Sequence, residues 1–211
     1  MKKLIIALSV LIVLGVLGFG AYKIFFAPKV SQEFIDSHNK IADLDSEVEK
    51  LTGSVNATDF EKLMSDKNYN GVIKAVDDTL VNENQALLNS KTISQELAKL
   101  RTMSDKISDA QAKEAALKRI TLGEKDNVTK IKYIEIRIQL LGKMKEVVSH
   151  VNKDEKLITV ADEKAVDALG KQIDEAISQG EALQRELDTI RTQYEAAEKE
   201  FMKVSGLSEV K

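Results

Sequence analysis

The stretch Asp66-Lys-Asn-Tyr-Asn-Gly-Val-Ile-Lys-Ala-Val-Asp77 holds the most specific arrangement of chemistry-bearing side chains in this sequence. Oxygen-bearing residues stand at alternate positions, Asp66, Asn68 and Asn70, followed by Gly71, the apolar Ile73 and a closing carboxylate, Asp77. Alternating oxygens on a tight turn that glycine makes without strain are the donor set of a hard cation, with a carboxylate at the far end completing the shell. Asp77 reaches less far around an ion than a glutamate would, two ligands at most are charged, and no second loop of this kind exists to pair with it.

This run resembles the calcium loop of the EF-hand family, and the resemblance implies a low-affinity calcium site with Asp66, Asn68, Asn70 and Asp77 as ligands, binding only at millimolar, extracellular calcium. The same residues also read as a plain turn between a short helix carrying Phe60 and Leu63 and the helix that follows. A third reading comes from Asn68 to Leu80, which resembles the second helix of a tetratricopeptide repeat with Tyr69 and Ile73 packing inward. The period of about 34 residues that such an array requires is absent.

Other chemistry is sparse. His38 and His150 fall on different expected helices, lack the spacings that place metal ligands on one helical face, and read as exposed or rim residues. The chain has no cysteine, which removes disulfides, thiol nucleophiles and cysteine-ligated metal sites together. No nucleophile elbow, phosphate-binding glycine loop or dinucleotide fingerprint occurs, and carboxylates are too evenly spread to mark an acid–base pair. Asn56-Ala-Thr58 and Asn127-Val-Thr129 match the glycosylation pattern and read as chance. The expectation is no enzyme and no cofactor beyond the calcium reading.

The elements around these residues begin with an apolar segment. Leu4 to Tyr22 contains no charged residue, and at about 1.5 Å per residue it spans roughly 28 Å, close to the hydrocarbon thickness of a bilayer. That run is longer than the core of a cleaved signal peptide, and only Gly18 and Gly20 imitate a cleavage site. Lys23 can snorkel, Tyr22, Phe25 and Phe26 suit the interface, and Pro28 interrupts a helix. Lys2 and Lys3 favour a cytoplasmic N-terminus. Residues 1–29 are therefore expected to be an uncleaved signal-anchor crossing the membrane once through residues 4–26, with the bulk of the chain extracytoplasmic.

The rest reads as helix. Pro28 is the single proline, and Glu, Lys, Ala, Leu and Gln abound after it. Residues 30–58 are expected to form a juxtamembrane helix and linker, with Phe34, Ile41, Leu44, Val48 and Leu51 in phase and a break at Gly53. Thr58 to Glu61 reads as a capping box. A helical region from Val72 to Ile120 slips phase around Asn89 to Thr92, which suggests a kink, and Leu122-Gly123 reads as its end. A third helix, Lys125 to Val151, carries Ile134, Ile138, Leu141 and Val148 and is apolar enough to be central. Thr159 is the expected N-cap of the last helix. There Val166, Leu169, Ile173, Ala176, Gly180, Leu183, Leu187, Ile190, Tyr194, Ala197, Phe201 and Val204 alternate steps of three and four, a heptad seam. The fold expected is all-α: the N-terminal transmembrane helix, then residues 59–211 as an elongated up-and-down bundle of three to four long helices with coiled-coil-like packing.

Charge narrows the partners. Residues 1–29 hold four lysines and no acid, so the remainder is more acidic than the whole-chain net of −3, which disfavours nucleic acid and anionic lipid. The function expected is a membrane-anchored structural or protein-interaction module of the cell envelope, binding an envelope protein or itself through helix packing. The alternative is a ligand- or weakly calcium-binding module, similar in outline to chemoreceptor sensor domains. Those have two flanking spans, so this chain would work with a membrane partner.

Overall fold

A computed structural model describes residues 29–53, 62–152 and 159–207. They form four long helices, α1 (Gln32–Gly53), α2 (Tyr69–Ser104), α3 (Ala110–Val151) and α4 (Val160–Ser205), with a helical turn at 62–65 before α2 and no strand among the described residues. Local chemistry sets most ends. Asn68 caps α2 by accepting from Gly71 N at 3.0 Å, and Asp109 caps α3 by accepting from Ala112 N at 2.8 Å. Thr159 and Asp162 form a reciprocal capping box on α4, which closes at Gly206 in the left-handed conformation, φ 73°.

Cross-helix contacts fix the directions. Ser37 and Lys40 of α1 meet Glu96 late in α2, so α1 and α2 are antiparallel. His38, Asp45 and Thr52 meet Arg119, Lys130 and Arg137 in that order, so α1 and α3 are parallel. Lys118 meets Glu200 and Lys143 meets Gln172, so α4 runs against α3. The result is an up-down-up-down bundle in which α3 packs on both α2 and α4 and α1 packs on α2. The main core joins Phe34, Ile41 and Val48 of α1 to Ile93, Leu97 and Leu100 of α2, Ala116, Ile120 and Ile134 of α3, and Phe201 of α4. A smaller core at the far end joins Val72 and Val76 to Leu141 and Val148, with Tyr69 and Ile73 against it.

Charge is sorted by helix. Six acidic and two basic residues lie on α1, eleven and six on α4, five and nine on α3. Basic α3 therefore receives the acids of both, through Lys130–Asp45 on one side and Lys118–Glu200 on the other.

Several expectations change. The helix within 30–58 packs with the helices that follow it: Phe34, Ile41 and Val48 bury it in the main core. The helical region after Val72 ends at Ser104, because Asp109 caps a new helix and Ile107 anchors the intervening turn in the core. Gly123 therefore lies mid-helix and buried, not at a terminus. The phase slip at Asn89 produces no break; Asn89 and Ser90 are themselves buried, polar side chains at inward positions of a continuous α2. The heptad stripe of α4 faces inward throughout, each of its residues buried or half-buried, so the chain itself satisfies it. The apolar segment 4–26 and the capping box at Thr58 to Glu61 lie outside the described residues. Among those described, no helix is long and apolar enough to cross a membrane.

Candidate functional site

The most concentrated polar chemistry lies where α1, α3 and α4 meet. Arg119 follows Ala112, Ala115 and Ala116 on the inward stripe of α3 and is 1% exposed. Its Nε pairs with the Glu198 carboxylate, its Nη2 donates to Tyr194 Oη at 2.7 Å, and Nη2 lies 2.5 Å from His38 Nδ1. The guanidinium lies 5.4 Å from the Tyr194 ring centroid and 5.8 Å from that of Phe201, whose ring packs at 5.6 Å on Phe34. Small alanines on the preceding turns give the long side chain room to lie along the seam.

The proton arrangement follows from the partners. Arginine only donates, so His38 Nδ1 accepts and its proton sits on Nε2, 3.3 Å from Glu198 Oε1. Burial, and then the Arg119 charge, lower the His38 pKa to about 4. Burial also lowers the Arg119 pKa against the opposing effect of Tyr194, and raises that of Tyr194. The cluster floors an open groove of about 790 Å³ between α1 and α4, edged by Ala42, Asp43, Glu195 and Met202. A groove of about 940 Å³ between α3 and α4, lined by Ala110, Leu117, Leu122 and Ala196, has no comparable buried group.

Two further buried ions tie helices together. Lys130 lies between Asp45 and Asp126; burial opposes its charge, but the two carboxylates outweigh it and raise its pKa. Glu83 is fully buried with Arg137 Nη2 2.6 Å from Oε1. That N–H does not point at the oxygen, and neither carboxylate oxygen receives an aligned hydrogen bond. Burial raises the Glu83 pKa despite Arg137. Arg137 also donates to Thr52 O at 2.8 Å, holding the last turn of α1. Among these groups the geometry orients helices and offers a binding groove; it aligns no nucleophile with a base.

The calcium-loop residues are placed otherwise than a loop requires. Asp66 sits in the turn before α2, its N–H bonded to Lys62 O at 3.0 Å, while the Asn68 side chain is the cap of α2. Asn70 Oδ1 accepts from Asn152 Nδ2 at 3.2 Å, and Asp77 pairs with Lys145 at 2.6 Å. Because the helix starts at Tyr69, Asp77 lies roughly 10 Å along the axis from Asn70. Asn68, Asn70 and Asp77 each have a different partner, Gly71, Asn152 and Lys145; separately, among the described residues no group of three His, Cys, Asp or Glu could hold a metal ion. His150 lies on α3 with Nδ1 3.0 Å from Asp162 Oδ1. His38 is drawn into the seam, not left on a rim. The signal that finds this cluster in the sequence is Arg119 itself, a charge in phase with apolar neighbours. Comparison with family models, with curated proteins and with solved structures finds no match for this chain.

Proposed function

We propose that the protein is a single-pass membrane-anchored bundle that serves as a structural or protein-interaction module of the cell envelope, N-terminus in the cytoplasm and bundle outside it. The observation that carries this reading is the junction. The apolar run extends through Phe26, and by Lys29 the chain is bound into the bundle, its N–H to Ser205 O at 2.9 Å and its Nζ to Asp109 at 2.9 Å. Little chain separates the two, so the end formed by the α2–α3 turn and the close of α4 would lie against the headgroups. Since the α4 stripe is used within the chain, a partner protein or second copy would meet outer faces. Val81 and Leu88, 69% and 58% exposed one heptad apart on α2, support such a contact.

The cysteine-free sequence gives a direct test. Ser178→Cys on the exposed side of α4 should react with a membrane-impermeant maleimide in permeabilised-envelope cells with sealed inner membranes, and the chain should stay in the membrane pellet after alkaline washing. Labelling only after lysis, or release by the wash, would reject the reading. The ligand-sensing alternative has one observation in its favour, the groove between α1 and α4. It requires a rise in Tm with a small ligand or with calcium.

A further inference from the structure

Between the Arg119 cluster and the middle of α2 lies a cleft of about 60 Å³, bounded by Ile41 and Asp45 of α1, Leu97 of α2, Gly123 and Asn127 of α3 and Tyr194 of α4. Gly123 makes the room: a Cβ there would stand 3.2 Å from both Leu97 Cδ2 and Tyr194 Cε2. Two residues that line this cleft carry an unused hydrogen-bonding capacity. Asn127, 3% exposed, commits Nδ2 to Ser90 O and Ser94 Oγ, both at 2.8 Å. Its other amide atom, Oδ1, is buried without a donor. Tyr194 Oη accepts from Arg119, and its own proton has no acceptor among the described residues.

The groups around the cleft bear on the ligand. Asp45 and Asp126 on its wall share the one Lys130 ammonium, and Arg191 at its mouth pairs with Glu49. An anion would face two carboxylates and an amide oxygen. A cation would face the Arg191 guanidinium, and the oxygen without a donor there is an amide, not a carboxylate. What fits is a small neutral molecule that accepts one hydrogen bond and donates another. One water needs about 10–15 Å³ of such volume, so the cleft has room for more than one.

We propose that this cleft is a built hydration site, in which ordered water accepts from Tyr194 Oη–H and donates to Asn127 Oδ1. The water joins two hydrogen-bond systems that the side chains leave separate: His38, Arg119, Glu198 and Tyr194 on one side, Asn127, Ser90 and Ser94 on the other. All four helices then share one buried network, and α2 is coupled to the α1–α4 seam through solvent. Nothing in this depends on the membrane anchor.

A crystal structure of the full chain in detergent, at a resolution that shows ordered solvent, tests it. The expected result is a solvent peak within hydrogen-bond reach of both Tyr194 Oη and Asn127 Oδ1. A dry cleft, or anomalous density there after a rubidium soak, would overturn the proposal, the latter in favour of a cation. In solution, Tyr194→Phe and Asn127→Leu should be coupled. Their combined effect on the unfolding constant should depart from the product of the single effects by more than about threefold, since independent sites agree within about twofold. Agreement with the product would count against the water bridge; if a variant fails to fold, the crystal of the unaltered chain decides.

Discussion

Arg119 is the residue on which the seam depends most. Arg119→Met leaves Glu198, 26% exposed, without its cation and His38 without its donor. Removing one partner of a buried pair costs about 3–5 kcal/mol, and partial solvation of Glu198 places this variant near about 3 kcal/mol, measurable by urea unfolding. His38 adds a pH dependence. With a folded pKa of about 4 against the ordinary 6.5 of histidine, the unfolded chain binds more protons between those values. The stabilisation is complete above 6.5 and lost as pH falls towards 4, roughly 3 kcal/mol in all. Glu96 acts in a lower window. Bonds from Lys40 and Lys99, joined by Ser37, hold it at about 2 against 4.5, so its contribution is present above 4.5 and lost as pH approaches 2. Stability measured against pH should fall in two steps, and His38→Gln, whose amide oxygen can still accept from Arg119, should flatten the upper one only.

At the scale of the helix, glycines separate what was legible from what was not. Gly123 read as a terminus because glycine often closes helices, whereas here it clears space for Leu97 and Tyr194. Gly123→Val should overpack the site and cost about 2 kcal/mol. Gly180 sits in the α4 seam, yet a Cβ there meets Ile136 and Tyr133 only at 3.9 Å. Gly180→Ala should therefore stabilise by about 0.5–1 kcal/mol through helix propensity, a rise in Tm by circular dichroism. The stripes of α1, the second half of α3 and all of α4 could be read from periodicity, because apolar burial repeats there without interruption. The α2–α3 turn could not, because Ile107 keeps it apolar and Ala112 resumes the stripe at once. The α2 interior misled for the converse reason: Asn89, Ser90 and Glu83 occupy buried positions that hydropathy assigns to the surface. The Arg119 cluster as a whole is illegible for a related reason, since its members lie on three helices and share no spacing. The calcium pattern was legible as a motif and is used as a helix start, its Asn68 oxygen turned to Gly71 N.

For the whole molecule, helix order follows from which surfaces can meet. A 3.5-residue stripe on α4 is satisfied equally by a neighbour in the chain or by another copy, so periodicity alone leaves the choice open. In the structure α3 takes that stripe, and basic α3 also draws acidic α1 into the same bundle through Asp45, so the elements close within one chain. The measurement that tests this most directly is cross-linking across the α1–α4 groove, which both Ala42 and Glu195 line. With Ala42→Cys and Glu195→Cys in one chain, a short bis-maleimide should give a monomer of altered mobility. Two co-expressed chains carrying one cysteine each should give no cross-linked dimer. A dimer from the single-cysteine mixture, with no internal link in the double variant, would contradict the account by placing α1 against the α4 of another copy.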